Sequence, residues 1–254
     1  MLVAAALLVY ANQVEPYWIE VTHHRVAAPL DPPLKIAHLT DLHSTGIGRR
    51  EKTLLALLEE ERPDLILITG DCVGVKDLYR ESREVLKKLR APLGVWLARG
   101  NWEIWSLIPR EHEFFASARV KLLRNEAAEV RPGVWLAGFD DAASGTPDLE
   151  RGFAGIPAGA YRIALFHSPA FFDHVAGRAD LALAGHTHGG QVRIPGLPPL
   201  WLPRGAWPYV EGWYEKNGSR MYVSRGVGTS VLPVRFSCRP EVAIITVGAS
   251  FRSP

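Results

Sequence analysis

Five apolar runs in this sequence each end in polar side chains that can bind a metal ion, and this recurrence constrains the fold most strongly. The runs are 34–39, 65–68, 93–98, 162–166 and 180–184. They are followed by Thr40-Asp41-Leu42-His43, Thr69-Gly70-Asp71, Gly100-Asn101, His167 and Gly185-His186-Thr187-His188. Continuous apolar runs are typical of strands covered on both faces, and ligands in α/β sheets bind beyond the carboxyl ends of strands. The pattern therefore predicts an α/β fold in which five strand ends share one site.

The segments around these runs predict helices and further strands. A helix is predicted over about 49–61, because Leu54, Leu57 and Leu58 fall on one face and Pro63 ends the pattern. Additional strands are predicted at 19–26, 120–123, 134–137, 221–223 and 242–247. No repeat or linker divides the chain. We therefore predict an apolar arm over 1–15 and one domain over 16–254, built on a mixed sheet or a pair of stacked sheets.

Composition excludes several classes of protein. Of the 254 residues, 47% are hydrophobic, which is enough to build a core without disulfide or metal support. Cys72 and Cys238 are too few thiols for a disulfide-rich scaffold or a zinc site made of cysteines, although one disulfide stays open. The 29 Lys and Arg nearly balance 27 Asp and Glu, so no general basic field exists to bind a nucleic acid polymer. No protein partner can be inferred.

The strand-end residues form one set of oxygen and imidazole ligands: Asp41, His43, Asp71, Asn101, His167, His186 and His188. Imidazoles with carboxylate and amide oxygens, without thiolates, suit divalent ions of borderline softness, and we favour Mn over Fe or Zn. Seven ligands exceed what one ion usually takes from a protein, so we predict two divalent ions that share a carboxylate. Ion pairs of this kind, about 3.5–4 Å apart, stabilise the attacking and leaving oxygens of a phosphoryl displacement.

These motifs, in this order, resemble those of the calcineurin-like metallophosphoesterases, and the Gly-His-Thr-His element is the most specific of them. Within that superfamily, Glu15-Pro16, Gly189-Gly190-Gln191 and the segment 224–230 are similar to the bacterial membrane-associated branch. The resemblance implies a two-sheet mixed β sandwich flanked by helices, in four αββα layers. The implied ligands are Asp41, His43 and His188 for one ion, Asn101, His167 and His186 for the other, and Asp71 as the bridge between them.

The resemblance also implies an activity. It is that of a binuclear metal-dependent phosphoesterase, which hydrolyses a phosphodiester or pyrophosphate bond by in-line attack of a hydroxide that bridges the ions. Asp71, Asn101 and His186 are the predicted catalytic residues. The membrane-associated branch implies a lipid-linked or nucleotide-containing substrate, for example UDP-diacylglucosamine, which would give a lipid phosphate and UMP. The alternative is a metal-bearing module that binds cell-envelope polymers or lipids, with weak or lost catalysis.

One position departs from the family pattern. The usual Gly-Asn-His-Asp/Glu element reads Gly100-Asn101-Trp102-Glu103, and the absent His is the one credited with helping to protonate the leaving oxygen. An indole has no titrating proton in the working range, whereas a positioned general acid contributes about 10²–10⁴-fold. Three explanations stand: leaving groups that need no proton, a substitute donor such as Glu103 or metal-bound water, or weak catalysis. We favour the first, and therefore a pyrophosphate or an activated phosphodiester.

Four residues outside the ligand set are predicted substrate contacts: Trp102, Glu103, Asp140 and Arg225. Asp140 lies in a turn-rich stretch, where it would contact substrate or stabilise the turn. Arg225 would bind a phosphate, because a guanidinium matches phosphate oxygens bidentately, or it would form a surface ion pair.

Two apolar segments predict attachment to a membrane. Residues 1–11 carry no charge but are shorter than the roughly 20 residues of a spanning helix. They are interpreted as a truncated anchor, a signal remnant or a buried apolar arm. A second segment sets Trp201, Trp207, Tyr209, Trp213 and Tyr214 among Pro and Gly. Such rings favour a membrane interface, unless the loop packs on its own domain. We predict a membrane-associated protein, peripheral or N-terminally anchored.

Overall fold

The computed structural model describes residues 2–74 and 78–249. The predicted arm starts at Met1, and the predicted domain includes 75–77 and 250–254; these positions lie outside the described residues. In chain order the described strands are β1 (Glu20–Ala27), β2 (Leu34–Leu39), β3 (Leu65–Thr69), β4 (Val95–Ala98), β5 (Val120–Leu122), β6 (Glu126–Arg131), β7 (Val134–Gly138), β8 (Tyr161–Leu165), β9 (Leu181–Ala184), β10 (Gly212–Lys216), β11 (Ser219–Val223) and β12 (Glu241–Gly248). The helices are α1 (Leu2–Val9), α2 (Arg49–Glu61), α3 (Tyr79–Leu86), α4 (Asn101–Trp105), α5 (Glu111–Ala116), α6 (Leu149–Gly152) and α7 (Phe172–Val175).

These strands form two six-stranded mixed sheets. The order in the first sheet is β1-β12-β2-β3-β4-β5, and its only antiparallel pair is β12 with β2. The order in the second sheet is β10-β11-β9-β8-β7-β6, where only the two edge pairs are antiparallel. The prediction of two stacked mixed sheets is therefore confirmed.

Apolar side chains hold four layers together. Between the sheets, residues such as Ile36 of β2 and Ile163 of β8 share one buried cluster. The outer face of the first sheet packs against Leu54 of α2 and Phe115 of α5, and that of the second packs against Phe172 of α7. The result is the predicted αββα arrangement. Cys72 and Cys238 are buried free thiols, so the disulfide left open by the sequence is not formed.

The sequence did not predict β6 and β10. Both lie at the edges of the second sheet, and their side chains are half-buried or exposed. An edge strand of this kind lacks the continuous apolar run that marks the central strands. In contrast, the predicted helix over 49–61 has the bounds of α2.

The N-terminal segment has an exposed part and a docked part. Leu2, Val3 and Leu8 of α1 are 70–88% exposed. A π-helical turn over Tyr10–Val14 and a 3₁₀ turn over Glu15–Tyr17 follow, and there Ala11 and Glu15 are buried. Docking on the domain therefore begins within the predicted arm rather than after it. Within the described residues, every helix is too short or too polar to cross a bilayer.

Candidate metal centre

The seven predicted ligands meet where strands of both sheets end. The first sheet contributes residues after β2, β3 and β4, and the second contributes residues after β8 and β9. All seven are buried, and none is more than 7% exposed. The two sheets therefore bring residues far apart in the sequence into one enclosed cluster.

Tight reversals directly after the strands turn these side chains toward one another. The backbone has a φ of 40–72°, in the left-handed region, at Asp41, His43, Asp71, His186 and His188. Such a conformation costs a non-glycine residue on the order of 1–3 kcal/mol. Hydrogen bonds between neighbouring loops hold it, since the amide of Asp41 donates to Gly70 (3.0 Å) and that of His43 to Asp71 (2.9 Å).

The first group of ligands consists of Asp41, His43 and His188. Oδ1 of Asp41 lies 3.3 Å from Nε2 of His188 and 3.8 Å from Nε2 of His43. The two imidazole nitrogens are 3.2 Å apart. Three potential ligand atoms thus converge, all within 4.8 Å of one another.

The second group consists of Asp71, His167 and His186, with Asn101 beside it. Nε2 of His167 lies 3.2 Å from Oδ2 of Asp71, 3.0 Å from Nδ1 of His186 and 3.1 Å from Oδ1 of Asn101. Oδ2 of Asp71 is also 3.6 Å from Nε2 of His43, which belongs to the first group. Asp71 therefore lies between the groups, as the predicted bridging role requires.

The hydrogen bonding of the Asp41 carboxylate indicates whether these residues suit divalent ions. Oδ2 of Asp41 accepts hydrogen bonds from the His186 amide and the Thr40 hydroxyl. Oδ1 is buried and, among the described residues, has no hydrogen-bond partner. An unpaired buried carboxylate oxygen is costly, and a cation at the first group would satisfy it. The donor set therefore fits the two divalent ions.

Protonation of three of the four imidazoles also suits metal binding. Burial lowers the pKa of His186 and His188 to about 4 and that of His43 well below its ordinary value. Burial also acts to lower the pKa of His167, but the Asp71 carboxylate outweighs it and raises that pKa well above its ordinary value, and a bound cation would take the place of this proton. A neutral imidazole is the form that binds a metal. Burial raises the pKa of the Asp71 carboxyl to about 7, because the carboxylate lacks water there, and a bound cation would favour its ionised form.

Backbone carbonyls fix the orientation of three rings. Nδ1 of His43 lies 3.2 Å from the Val73 carbonyl, and Nδ1 of His167 lies 2.7 Å from that of Thr69. Nε2 of His186 lies 2.9 Å from the carbonyl of Arg204. A carbonyl only accepts, so each of these nitrogens donates a proton. The other nitrogen of each ring faces the cluster, where it is an acceptor in neutral His43 and His186.

Glu103 supports the loops of the centre. Its carboxylate accepts hydrogen bonds from four backbone amides, those of Asp71, Cys72, Val73 and Gly100, at 2.7–3.2 Å. The side chain is 1% exposed. Glu103 is therefore placed to hold the Asp71 and Asn101 loops together, and its oxygens are occupied rather than directed at a substrate.

Trp102 borders the cluster, but Asp140 and Arg225 do not. The Trp102 ring meets the His43 ring edge-on at 5.4 Å. Asp140 instead binds Arg99 at 2.6 and 3.0 Å, and Arg225 binds Glu20 at 2.8 Å. The structure thus gives Asp140 and Arg225 the roles named as alternatives, turn stabilisation and ion pairing, and offers no support for their predicted contact with substrate.

Two cavities open onto the centre. One of about 460 Å³ has Asp71, Asn101, His186 and His188 on its floor, and its apolar wall contains Trp102, Trp105, Val192, Leu200, Trp201, Val231 and Leu232. The other, of about 820 Å³, reaches His43 and is lined by Arg49 and Arg50. Trp102 borders both. The centre is therefore accessible from an apolar side and from a side whose charged residues are Arg49, Arg50 and Glu51.

The sequence prediction missed two residues that support the centre, Glu15 and Arg235. Both are buried, at 1% and 0% exposure, and Arg235 donates to the His188 carbonyl. The sequence indicates Glu15 only as part of a motif, and no residue near it in the sequence points to a partner more than 200 residues away. Burial of a charged side chain cannot be read from local pattern.

Comparison with known proteins places the chain among phosphoesterases. Residues 34–190 match the family model described as calcineurin-like phosphoesterase. The chain is 32% identical to the uncharacterized metallophosphoesterase YkuE of Bacillus subtilis, over 94% of this chain and 88% of that protein. It is also 32% identical to the phosphodiesterase YaeI of Escherichia coli, over 93% of this chain and 91% of that protein. An uncharacterized metallophosphoesterase of Aquifex aeolicus is 29% identical, with 97% and 98% covered.

Proposed function

Because the chain belongs to the calcineurin-like phosphoesterase family and is a metal-dependent phosphoester hydrolase, we propose that its substrate is an amphiphilic pyrophosphate or activated phosphodiester. The observation that carries the proposal is the apolar cavity that opens on the metal centre. The phosphoryl group lies over Asp71 and Asn101, and the apolar part of the substrate lies against Leu200 and Trp201.

The exposure of the cavity wall supports an apolar ligand. Trp201 is 68% exposed, Val231 87% and Leu232 61%. Covering such side chains contributes about 25 cal/mol per Å² of apolar area removed from water. On the His43 side, Arg49 lines the second cavity and offers a separate place for an anionic group of the same molecule, whereas Arg50 is paired with Glu51 at 2.9 Å.

Trp102 supports a leaving group of low pKa. The indole cannot supply the proton that an alkoxide needs on departure, and Glu103, the substitute donor considered from the sequence, is occupied by four amides. A phosphate released from an anhydride is stable without protonation. A pyrophosphate therefore loses least from the replacement of histidine by tryptophan.

The chain's own residues prepare the centre for this chemistry. When bound, two divalent ions, which we propose to be Mn, supply a nucleophile active at neutral pH and offset charge on the phosphoryl oxygens. The Trp102 amide donates to Oδ1 of Asp71 at 2.9 Å, which leaves Oδ2 directed between the two ligand groups. Carbonyl contacts at His43, His167 and His186 leave the second nitrogen of each ring directed at the centre.

A lipid-linked nucleotide such as UDP-diacylglucosamine has both parts that the two cavities suit, and is one candidate substrate. Membrane association belongs to the same proposal. Its support is the exposed apolar surface of α1 together with Trp201 and Trp207, which are 68% and 73% exposed. Aromatic and apolar side chains of this kind favour the interface of a bilayer.

A substrate panel with saturating Mn tests the proposed chemistry. We expect faster hydrolysis of aryl than of alkyl phosphodiesters, and faster hydrolysis of an acylated pyrophosphate than of a short-chain one. The variant Trp102→His should raise the alkyl rate more than the aryl rate. Equal rates on aryl and alkyl esters, with chemistry limiting, would contradict the leaving-group argument. Binding of envelope lipids without any turnover would favour the binding-module alternative.

Vesicle sedimentation tests membrane association. Deleting residues 2–9 should lower the bound fraction on anionic vesicles more than Trp201→Ala or Trp207→Ala does. The matched control is Trp18→Ala, which changes an exposed tryptophan that packs on Arg239. If binding were undiminished after the deletion, the proposed membrane contact would instead be the segment that carries Trp201 and Trp207.

A further inference from the structure

Arg235 is the largest fully buried side chain among the described residues. Its guanidinium donates to five backbone carbonyls, at 2.7–3.4 Å, those of His188, Arg225, Gly226, Gly228 and Cys238. Each oxygen partner is a neutral carbonyl. Burial of a cation is tolerated when its donors are satisfied. This side chain therefore ties the ligand residue His188, 47 positions away, to the loop 225–228 and to its own segment 235–238.

Two of the segments held by Arg235 support the first ligand group. Its contact with His188 is at the carbonyl of a ligand residue. The Gly226–Gly228 loop lies against Asp41, the carboxylate ligand of this group, because the Gly228 amide donates to the Asp41 carbonyl at 2.6 Å. Gly226 packs so closely that an added Cβ would lie 2.7 Å from the Cβ of Asp41. The position of Arg235 therefore bears on Asp41 and His188 together.

The segment that carries Arg235 is itself held by the N-terminal segment. Glu15 accepts hydrogen bonds from the Ser237 amide at 3.0 Å and the Cys238 amide at 2.5 Å. The Arg235 amide donates to the Ala11 carbonyl at 2.8 Å, and the Asn12 side chain donates to Pro233 at 2.8 Å. Residues 11–15 thus fasten 233–238 to the domain at several points.

Among the described residues, the network contacts ligand residues of the first group directly and reaches the second group only through Asp41, which accepts the His186 amide. Cys238 adds to the direct contacts, because its thiol donates to the His188 carbonyl at 3.2 Å. Asp71 and His167 are instead held by Glu103, Thr69 and Trp102. The direct supports of the two groups therefore differ.

We propose that Glu15 and Arg235 are positioning residues that set the affinity of the first ligand group, Asp41, His43 and His188, for its ion. The N-terminal segment thereby controls one of the two ions of the centre. This inference rests on the proposed two-ion site. It adds a role for a part of the chain that lies outside the residues matched by the family model.

Binding of Mn²⁺ in the absence of substrate tests the proposal. Calorimetric titration of the full chain should give two ions for the unchanged protein. In Glu15→Gln, an amide replaces one of the two acceptor oxygens that face amide N–H groups. We expect one Mn²⁺ affinity to fall about 10–100-fold, the range for residues that support a metal ligand, while the other stays within twofold. The electron paramagnetic signal of Mn²⁺ pairs should weaken in parallel.

A second variant and a matched control keep the result interpretable. Arg235→Lys retains the charge but cannot span five carbonyls, and should weaken the same ion at least as much. Glu150→Gln removes a carboxylate that pairs with Arg178 on the surface and should leave both affinities unchanged. Circular dichroism and thermal unfolding report whether each variant is folded.

Two outcomes would overturn the inference: unchanged affinities in both folded variants, or equal weakening of both ions, which indicates general loosening of the fold. A different result, fewer than two ions on the unchanged protein, would instead refute the two-ion proposal. Failure of the positioning role and failure of the proposed function are therefore distinguishable.

Discussion

The floor of the active site and the rim of its apolar cavity are built by different means. The floor here means all seven predicted ligand residues, which follow five strands and are almost completely buried. The rim, here Trp105, Leu200, Trp201, Val231 and Leu232, lies outside the strands and is 51–87% exposed. Two sheets fix the floor, whereas the side chains of the rim have more than half of their surface exposed.

This difference separates reaction chemistry from substrate selection. A change in the floor disturbs several buried contacts at once, since ligands and backbone share hydrogen bonds. A change in the rim alters only what the cavity covers. We therefore expect floor variants to lower the stability of the protein and its turnover of every substrate. Rim variants should affect only the hydrolysis of substrates with an apolar chain.

Asp71→Asn should have the largest effect, on turnover. The amide removes the charge placed between the two ligand groups, and the charge stabilisation of the transition state by the ions amounts to several kcal/mol. We expect kcat to fall about 10³-fold, equally on acylated and short-chain substrates. Asp173→Asn, which removes a surface pair with Lys216, should change kcat by less than twofold. A loss confined to acylated substrates would break the distinction between floor and rim.

His38 gives the next largest effect, on stability against pH. Burial lowers its pKa to about 4, whereas the unfolded chain takes up this proton near pH 6.5. The unfolded state therefore binds more protons between these values, and stability decreases as pH falls from about 6.5 to 4. This loss amounts to roughly 3 kcal/mol and should be absent in His38→Gln. Urea unfolding of both proteins at several pH values measures it, and the titration of the ligand histidines cancels in the comparison. Parallel curves for the two proteins would refute the assignment.

Glu103→Gln should destabilise the floor more modestly. One of the two oxygens that accept four amide N–H groups becomes a donor, and leaving a buried donor unsatisfied costs about 1–3 kcal/mol. Thermal unfolding measures the loss, and kcat should decrease as well because Asp71 and Asn101 lose their common support. Glu150→Gln is the matched control. Normal stability with reduced turnover would instead indicate that the carboxylate acts on the substrate.

Trp201→Ala should have the smallest effect, confined to the rim. We expect KM for an acylated substrate to rise about tenfold, equivalent to about 1.4 kcal/mol of lost burial, with kcat unchanged. The short-chain substrate should show no difference, and neither should Trp18→Ala on either substrate. A similar rise in KM for both substrates would show that the rim contributes to the floor.

The central strands and the ligand set could be predicted because their physical signals are local. A strand covered on both faces must be apolar throughout, so the polar residues after 34–39 or 65–68 stand out. Because the central strands are parallel, the residues that directly follow them lie at one edge of the sheet. Asp41 and Asp71 could therefore be predicted to lie close together without knowledge of loop geometry.

Edge strands and supporting residues could not be predicted because their signals are not local. β6 and β10 need only one neighbour and are partly exposed, so their sequences resemble those of loops. Arg235 is buried because five carbonyls, the farthest of them 47 positions away at His188, surround it. Asp140 stabilises its turn by accepting the Thr146 amide and also pairs with Arg99, 41 positions away, and sequence pattern alone did not distinguish these roles from contact with substrate.

The four amides gathered by Glu103 have a consequence for the adjacent position 102. Because the carboxylate at 103 shapes the loop, we expect the side chain at 102 to be exchangeable without displacement of Asn101. A library randomised at this single codon would thus vary the proton-donating capacity of the enzyme on a constant scaffold. Selection for growth on an alkyl phosphodiester as phosphorus source would then report which donors this position accepts.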